Sequence, residues 1–433
     1  MKRFYFFSLL MMICCVIAKS QYVVVDGITY MITSNGTAIL TNGKQAKGDV
    51  VVANEVSYND ESYQVAAIGD GAFYHNTDIT SVKIPATVVT IQRSAFYGCI
   101  RLSSVTALAE KFDYIGTYPF YDTPWVKALP KDDGVTYWKD WMLDADENKQ
   151  WDELYVKEGT RGMCVYNLRA KTVYIPKSYT ETFFKDSFVA EKIVVDNANP
   201  VYFSDDNGAV YGRQIYAEYY CAAKDERKNI TAQALVAISV KSQADKLILA
   251  DGVKYLNTGA CMNGNFEEVV VPEGCVAVFT NNFRWLKRCK RIVLPSTIEF
   301  FDMYDPMGDA DMEVVLKAKE VPDNSGNQFT FGDCSHVTLY VPAESLDKYL
   351  ADAAYQGKFK AIKAIPDDKI VGDVDCDGTI NSADVVAVYN YITSGADSGI
   401  ELSSADVNGD NVVNSGDVVE VYNLIINGTA QSK

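Results

Sequence analysis

A short unit recurs in the first third of the sequence and strongly limits the folds that the chain can adopt. The segments IGDGAFYHNTDITSVKIP, IQRSAFYGCIRLSSVTAL and IGTYPFYDTPW begin at Ile68, Ile91 and Ile115, which lie 23 and 24 residues apart. Each unit has an apolar start, an Ala-Phe or Pro-Phe pair and then a short β run. A unit of this size cannot bury its own apolar face, whereas stacked units can bury a continuous core. The repeat therefore predicts a solenoid.

The phenylalanines of the repeat are expected to form the centre of that core. Phe73, Phe96 and Phe120 hold equivalent positions, so stacking the units would place them in one ladder beside a parallel sheet of short strands. Asn76 and Cys99 are also equivalent, which indicates a small buried residue near the turn.

The pattern weakens in the middle of the chain and then returns. Short β runs that end near proline recur at residues 173–176, 269–272, 292–295 and 339–342, with residues 314–316 as a further strand. Before the repeat, residues 21–63 read as β structure, with an Asp-Gly turn in VVVDGITYMI and an Asn-Asp turn in SYNDESY. We predict a β cap over residues 21–63 and a solenoid with insertions over residues 64–365.

Three segments depart from the repeat. Near residues 130–150 lies a group of tryptophans; they can form a platform for sugar rings or fill a core, and we favour the core. Its members are Trp125, Trp138, Trp141 and Trp151. The four aspartates of residues 301–314 fit no metal-ligand spacing, so we favour a solvated loop. Residues 199–232 read as a hairpin across residues 206–208 followed by a polar connection.

Two nearly identical segments follow the solenoid. DVDCDGTINSADVVAVYNYI begins at Asp373 and DVNGDNVVNSGDVVEVYNLI begins at Asp406, 33 residues later. Each opens with an oxygen-rich loop of twelve residues and continues into an apolar helix pattern. Such EF-type loops supply the six to eight oxygen ligands that calcium requires. We therefore predict two bound calcium ions, Ca2+, one in each loop.

The predicted metal ligands lie at equivalent positions of the two loops. In the first loop they are Asp373, Asp375, Asp377, the Thr379 carbonyl, Asn381 and Asp384. In the second loop they are Asp406, Asn408, Asp410, the Val412 carbonyl, Asn414 and Asp417. Asn411 replaces the glycine that is usual in the second loop, and both loops close with Asp instead of Glu. Because the first loop has one more carboxylate, we expect it to bind calcium more tightly.

Charge and the start of the chain indicate where the protein works. The 433 residues carry a formal charge of −17, which argues against nucleic acid and anionic membranes as partners. Residues 1–20 predict a secretory signal peptide, and no later stretch is long and apolar enough to span a bilayer. We expect a secreted protein, extracellular or held at a cell surface through a partner. Most of the cysteines after residue 20 are expected to be buried thiols, and Cys376 is expected to be exposed. The sequence leaves open whether any of them form disulfides.

The sequence offers little for catalysis. His75 and His336 are the only histidines, and no G-x-S-x-G elbow, P-loop or dinucleotide-binding glycine motif is present. A pair of carboxylates that hydrolyses glycosides is brought together only by the fold, so the sequence leaves this possibility open. Because the repeat positions are occupied by packing residues, we predict that the protein is not an enzyme.

The repeats resemble the BspA-like leucine-rich repeat family over most of residues 23–365. The resemblance is carried by GDVVVANEVSYNDESYQVAAIGDGAF, SVKIPATVVTIQRSAFYGC, LYVKEGTRG and TLYVPAESLDKYLADAAYQGKFKAIKAI. It implies a right-handed solenoid closed by a strand and a helix, binding or adhesive roles with a host or glycan ligand, and no defined catalytic residues.

The tail, residues 366–433, resembles a dockerin module, which docks onto a cohesin. This resemblance implies that calcium holds two antiparallel helices whose exposed faces bind the cohesin. By position, the recognition residues are Ser382, Ala383, Tyr389 and Asn390 in one copy and Ser415, Gly416, Tyr422 and Asn423 in the other. Packing between the helices is an equally weighted interpretation of Tyr389 and Tyr422.

The predicted fold class is mostly β with α: a leucine-rich-repeat solenoid with a β-rich amino-terminal cap, then a small α-helical, EF-hand-like dockerin domain. The preferred function is that of a secreted, non-catalytic binding or adhesion protein that docks through calcium onto a cohesin in a polysaccharide-degrading assembly. A divergent glycoside hydrolase that carries a dockerin is the first alternative. A solenoid with a calcium-stabilised cap and no cohesin partner is the second.

Overall fold

The computed structural model describes residues 21–182, 188–242, 244–304, 311–326, 330–366, 371–374, 380–394, 400, 402–410 and 412–426. The predicted signal peptide lies outside these residues. The chain divides into two compact units, Met1–Lys363 and Ala364–Lys433.

The larger unit begins with hairpins that continue directly into stacked parallel strands. Its first strands are β1 (Gln21–Val25), β2 (Ile28–Ile32), β3 (Thr37–Asn42), β4 (Gly48–Val51), β5 (Glu55–Tyr58), β6 (Glu61–Ile68), β7 (Ile79–Ile84), β8 (Thr90–Ile91), β9 (Ser104–Ala107) and β10 (Tyr114–Ile115). The β1–β2 and β5–β6 hairpins turn at the predicted Asp-Gly and Asn-Asp pairs. Strands β3, β6, β8 and β10 then pair in parallel, as do β4, β7 and β9. Each repeat thus contributes a short strand to each of two sheets.

The predicted phenylalanine ladder is confirmed. The rings of Phe73 and Phe96 stack with centroids 4.8 Å apart, and those of Phe96 and Phe120 stack at 5.0 Å. Phe73 and Phe96 are fully buried and Phe120 is 1% exposed. Asn76 is buried as expected, and its side chain bonds the backbone of two neighbouring segments, at Ala46 and Ile79. Its polar atoms are therefore satisfied within the core.

The middle of the larger unit contains the predicted insertion, and the tryptophans in and beside it pack inward. Its elements are α1 (Pro124–Ala128), β11 (Lys131–Asp132), β12 (Val135–Trp138), β13 (Trp141–Ala145), β14 (Gln150–Tyr155), β15 (Gly162–Met163), β16 (Leu168–Ile175) and β17 (Phe188–Val195). Trp125, Trp141 and Trp151 are buried, and Trp138 is half-buried against Trp125 at 5.1 Å between centroids. The prediction that the tryptophans fill a core is therefore confirmed, and they do not form an exposed platform for sugar rings.

The hairpin predicted across residues 206–208 is present, but the polar connection predicted after it is wrong. β18 (Tyr202–Ser204) pairs with β19 (Val210–Cys221), and β19 continues into a long antiparallel pair with β20 (Glu226–Ala237). Along the outer part of β19 the side chains alternate, with Ile215, Ala217 and Tyr219 turned partly into the fold. The many polar residues occupy the outer face of a strand pair, which is why composition alone suggested a connection.

The remaining strands complete two stacked sheets. They are β21 (Lys246–Ile248), β22 (Tyr255–Leu256), β23 (Glu268–Val270), β24 (Ala277–Val278), β25 (Arg291–Leu294), β26 (Phe300–Phe301), β27 (Met312–Leu316), β28 (Cys334–Val341) and β29 (Phe359–Ala364). One sheet has the order β20-β22-β24-β26 and the other β21-β23-β25-β27-β28-β29. A short 3-10 turn (Ala343–Ser345) and helix α2 (Leu346–Ala351) follow β28. The predicted closing strand and helix are confirmed.

Two further expectations concern buried polar groups. The cysteines described by the structure are free, buried thiols, as predicted for most of them: Cys99, Cys164, Cys221, Cys261, Cys275, Cys289 and Cys334. Cys376 lies outside the described residues. The solvated-loop interpretation of residues 301–314 is wrong for Asp302, which is 2% exposed and accepts hydrogen bonds from Thr280 and Ser325. Asp305 and Asp309 lie outside the described residues.

The smaller unit is helical. It contains α3 (Ser382–Ser394), α4 (Leu402–Ala405) and α5 (Ser415–Ile426) around a core of Val374, Val388, Ala405 and Val421. Val388 and Val421 come from equivalent positions of the duplicated segments, so the two long helices contribute alike to this core. Within the part of the chain that the structure describes, no helix is long and apolar enough to cross a membrane.

Candidate functional site

The last residue of the second loop binds both ends of that loop. Asp417 lies in the first turn of α5 and is fully buried. Its Oδ1 accepts hydrogen bonds from the Val407 and Asn408 amides at 2.8 and 3.2 Å, and its Oδ2 accepts one from the Asn414 amide at 2.8 Å. The helix that follows the loop therefore fixes the loop's closed form.

The other predicted ligands of this loop are connected to one another. The Asp410 amide donates to Asp406 Oδ1 at 3.1 Å and to Asn408 Oδ1 at 2.9 Å. The Asn414 side-chain amide donates to the Val412 carbonyl at 2.9 Å. All six predicted ligand residues thus lie in one local hydrogen-bond network.

The first loop repeats this arrangement where the structure describes it. Asp384 is fully buried, and its two carboxylate oxygens accept hydrogen bonds from the Val374 amide at 2.6 Å and the Asn381 amide at 2.8 Å. These two amides are the counterparts of those of Val407 and Asn414 in the second loop. Asp373 is buried beside them. The remaining predicted ligands, Asp375, Asp377 and Thr379, lie outside the described residues.

The donor chemistry of the loops fits a hard cation. The predicted ligands are carboxylate, amide and carbonyl oxygens, which are the groups that calcium prefers. The second loop is also tightly closed: a Cβ on Gly416 would lie 3.1 Å from Asn414 Oδ1 and 3.3 Å from Asn408 Nδ2. Among the described residues, no group of three or more His, Cys, Asp or Glu side chains is arranged to hold a metal ion. Half of the second loop's predicted ligands are asparagine or backbone oxygens, which are not side chains of those types.

The predicted docking residues lie mainly on the surface of the two long helices. Tyr389 and Tyr422 are 59% and 55% exposed, whereas Val388 and Val421 fill the space between the helices. Packing between helices is therefore the wrong interpretation of the two tyrosines. Ser382, Ala383, Asn390 and Ser415 are exposed as well, and Gly416 and Asn423 are half-buried.

Sequence reasoning missed an apolar pair on the same helices. Val386 and Val419 are 55% and 56% exposed, and each precedes its helix's tyrosine by three residues, so the two side chains share a helix face. The signal was present in the sequence, because the two valines are related by the same 33-residue offset as the tyrosines. Each helix therefore presents a valine and a tyrosine outward.

The larger unit carries a second row of aromatic rings outside the phenylalanine ladder. Tyr74, Tyr97 and Tyr121 stack with centroids 5.3 and 4.9 Å apart, and the His75 ring contacts the first two. A hydrogen bond to the Glu147 carboxylate raises the pKa of Tyr121 to about 12. We name Tyr74, Tyr97 and Tyr121 the tyrosine row. Its sequence signal is the tyrosine that follows each phenylalanine of the repeat.

Comparison with protein families finds a matching region in each of the two units. Residues 66–190 match the BspA type leucine rich repeat region in six copies, and residues 371–426 match the dockerin type I domain. The chain thus carries a BspA-type leucine-rich repeat region followed by a type I dockerin domain, and both resemblances noted in the sequence are confirmed. No curated protein matches the sequence.

The solved structures that this chain is similar to include bacterial leucine-rich repeat proteins. A leucine rich cell surface protein from Faecalibacterium prausnitzii is 16% identical over 80% of this chain and 96% of that chain, with a TM-score of 0.34. A leucine-rich repeat protein from Eubacterium ventriosum is 17% identical over 79% of this chain and 84% of that chain, with a TM-score of 0.39. The pneumococcal vaccine antigen PcpA is 12% identical over 80% and 99% of the two chains, with a TM-score of 0.35.

The fold class predicted from the sequence is confirmed as a mostly β solenoid with a small helical region at its carboxyl end. The combination of a leucine-rich repeat solenoid and a dockerin supports a role in protein interaction or adhesion. Type I dockerin domains bind calcium and imply a cohesin partner. Both domain types are typical of extracellular or cell-surface proteins.

Proposed function

We propose that this protein is a secreted, non-catalytic binding protein whose solenoid presents a recognition surface and whose dockerin attaches it to a cohesin. The observation that supports the docking role most directly is the position of Asp384 and Asp417. Each of these buried carboxylates joins both ends of a predicted calcium loop to the first turn of a long helix. Calcium binding in the loop and the position of the helix that follows it are thereby coupled.

The proposed calcium sites number two, one per loop, with the ligands named from the sequence. A bound ion would neutralise the carboxylates of the loop, which otherwise repel one another within a few ångströms. The residues of this chain do the rest: Asp384 and Asp417 hold the loops closed, and Val388 and Val421 hold the helices together. Because an ion that binds only the folded form stabilises that form, calcium is expected to raise the stability of the smaller unit.

The proposed docking face lies on α3 and α5. Each helix carries the same Ser, Tyr and Asn positions, together with the exposed valine that precedes the tyrosine. An exposed aromatic residue beside an apolar one is a suitable centre for a protein interface. Since the two sets are nearly identical, either helix is expected to serve as the cohesin-binding face.

The proposed organisation is a signal peptide at residues 1–20, a β cap at 21–63, a repeat solenoid at 64–365 and a dockerin at 366–433. Secretion would bring the loops into a calcium-rich medium. The assembly served by the cohesin is proposed to be one that degrades polysaccharides at a cell surface. In that setting, the tyrosine row and the rest of the solenoid surface are available to a host or glycan ligand.

Calorimetric titration of calcium into residues 21–433 tests the docking part of this proposal. The expected result is two sites for the wild type and one each for Asp384→Asn and Asp417→Asn, with a gain of helical circular dichroism. Asp347→Asn, which removes an exposed carboxylate of α2, is the matched control and should retain both sites. Absence of binding, or full binding by both loop variants, would contradict the proposal.

Incubation with plant and host polysaccharides tests the non-catalytic part. The expected result is binding or no interaction, without product. Steady release of sugar products by the purified protein would replace this proposal with the glycoside hydrolase alternative.

A further inference from the structure

A cavity of about 510 Å³ lies in the larger unit, at the tip of the long β19–β20 hairpin. Its walls are residues 222–224 of the hairpin tip, residues 298–299 and 320–324 of two successive coils, Gly326, and residues 352–354 after α2. The cavity is therefore built from segments that are distant in sequence, and the hairpin forms one of its walls.

The hairpin tip is firmly attached at this position. The Ala222 amide donates to the Asn324 carbonyl at 2.9 Å, and the Ala223 amide donates to Asp323 Oδ1 at 3.1 Å. Gly326 also lies against the tip, since a Cβ placed there would come within 2.4 Å of the Ala222 Cβ. The wall is thus a packed part of the fold.

The lining of the cavity combines a net negative charge with apolar side chains. Lys348 pairs with Glu320 at 2.7 Å. The other charged residues of the lining are three acids, Glu299, Asp323 and Asp352, and one base, Lys224. The apolar lining residues are Ala222, Ala223, Ile298, Val321, Pro322, Ala353 and Ala354. This combination suits a ligand with an aliphatic stem and a cationic end.

Asp323 has an unsatisfied carboxylate oxygen next to this cavity. The residue lines the cavity and is only 7% exposed, and its buried Oδ2 has no hydrogen-bond partner among the residues that the structure describes. A buried carboxylate oxygen without a donor is costly, and a cationic donor is the group that satisfies it best.

We propose that this cavity binds an alkylammonium group, such as the end of a lysine side chain. A divalent cation fits less well, because the lining is largely aliphatic and no group of three metal-binding side chains is found among the described residues. The ammonium would donate to the Asp323 carboxylate, whose buried Oδ2 turns toward the cavity to accept, while its methylene stem lies against the Ala and Val side chains. None of the residues that line the cavity belongs to the calcium loops or to the docking helices.

The test is a titration of residues 21–433, in saturating calcium, with Nα-acetyl-lysine-N-methylamide and with cadaverine. The uncharged isostere Nα-acetyl-norleucine-N-methylamide is the matched ligand control. Saturable one-site binding is expected for at least one amine, with none for the norleucine compound. The tighter amine identifies a protein side chain or a free amine as the source of the group.

Two variants test whether the amine binds in this cavity. Asp323→Asn keeps the oxygen that accepts from Ala223, and Glu299→Gln removes a second charge of the cavity; each is expected to weaken binding about tenfold or more. Asp347→Asn removes an exposed charge outside the cavity and should bind as the wild type does. Absence of saturable amine binding, equal binding of the norleucine compound, or unchanged affinity in both cavity variants would overturn the proposal.

Discussion

Asp384 and Asp417 share two backbone contacts at equivalent positions of the duplicated segment. Each carboxylate accepts one backbone hydrogen bond from the second residue of its loop and another from the ninth. Both are fully buried in the first turn of a helix, where the amides of that turn favour negative charge. The loop and the helix are therefore one structural unit in each copy.

The two loops are expected to differ in calcium affinity. The first loop has one more carboxylate among its predicted ligands, so Asp384→Asn should remove the tighter site and Asp417→Asn the weaker one. Isothermal calorimetry of each variant measures the site that remains. The order would be wrong if the site remaining in Asp417→Asn were the weaker of the two.

Because the docking face is duplicated, we expect either helix to be sufficient for cohesin binding. Tyr389→Ala and Tyr422→Ala should each retain cohesin binding within about threefold, because the other helix still presents its tyrosine, whereas the double variant should lose it. Surface plasmon resonance against a panel of cohesins measures this. Tyr216→Ala, an exposed tyrosine of the solenoid, is the control for loss of an exposed ring. A complete loss in either single variant would assign docking to one helix alone.

The phenylalanine ladder should carry more stability than the tyrosine row outside it. Phe96 is fully buried between two rings, so Phe96→Ala is expected to destabilise the solenoid by about 3–5 kcal/mol. Tyr97 is half-buried, and Tyr97→Ala should cost about 1 kcal/mol. Urea unfolding followed by tryptophan fluorescence measures both. Equal losses in the two variants would contradict this ranking.

Burial raises the pKa of Asp302 above its ordinary value. The folded chain therefore keeps this proton to a higher pH than the unfolded chain, and stability decreases as pH rises from the ordinary aspartate pKa through the raised one. Asp302→Asn removes this titration while it can still bond Thr280 and Ser325. The variant's stability relative to wild type should be greater near pH 7 than near about pH 3, where Asp302 is protonated. Thermal unfolding at both values checks this, and a pH-independent difference would contradict it.

Much of the solenoid could be predicted because the repeated positions are occupied by apolar residues that pack in the core. The spacing of Phe73, Phe96 and Phe120 gave both the stacking and the parallel strands. The tyrosine row was missed although its spacing is identical, because a surface tyrosine has no burial requirement that distinguishes it from a loop residue. The β19–β20 hairpin was missed because one face of it is polar, which weakens the apolar pattern of a strand.

The loops were predicted as far as ligand identity, because oxygen ligands follow one another at fixed positions. The role of Asp384 and Asp417 in joining loop ends by backbone amides was not predictable, since it depends on how the chain closes around them. The buried position of Asp302 was missed for a similar reason. Four aspartates within residues 301–314 suggested exposure, whereas Thr280 and Ser325 come from neighbouring coils and supply the donors that allow burial.

The attachment of the hairpin tip has a mechanical consequence. In a stack of coils each coil is held mainly by its neighbours, so a pull on the carboxyl end would peel coils away one at a time. Ala222 and Ala223 instead bond residues about 100 positions later in the chain, and so join β19–β20 to the last coils before the dockerin. Force applied at the carboxyl end would have to break this link before it could peel the coils between the hairpin and residue 324, so the hairpin acts as a clamp against their unravelling.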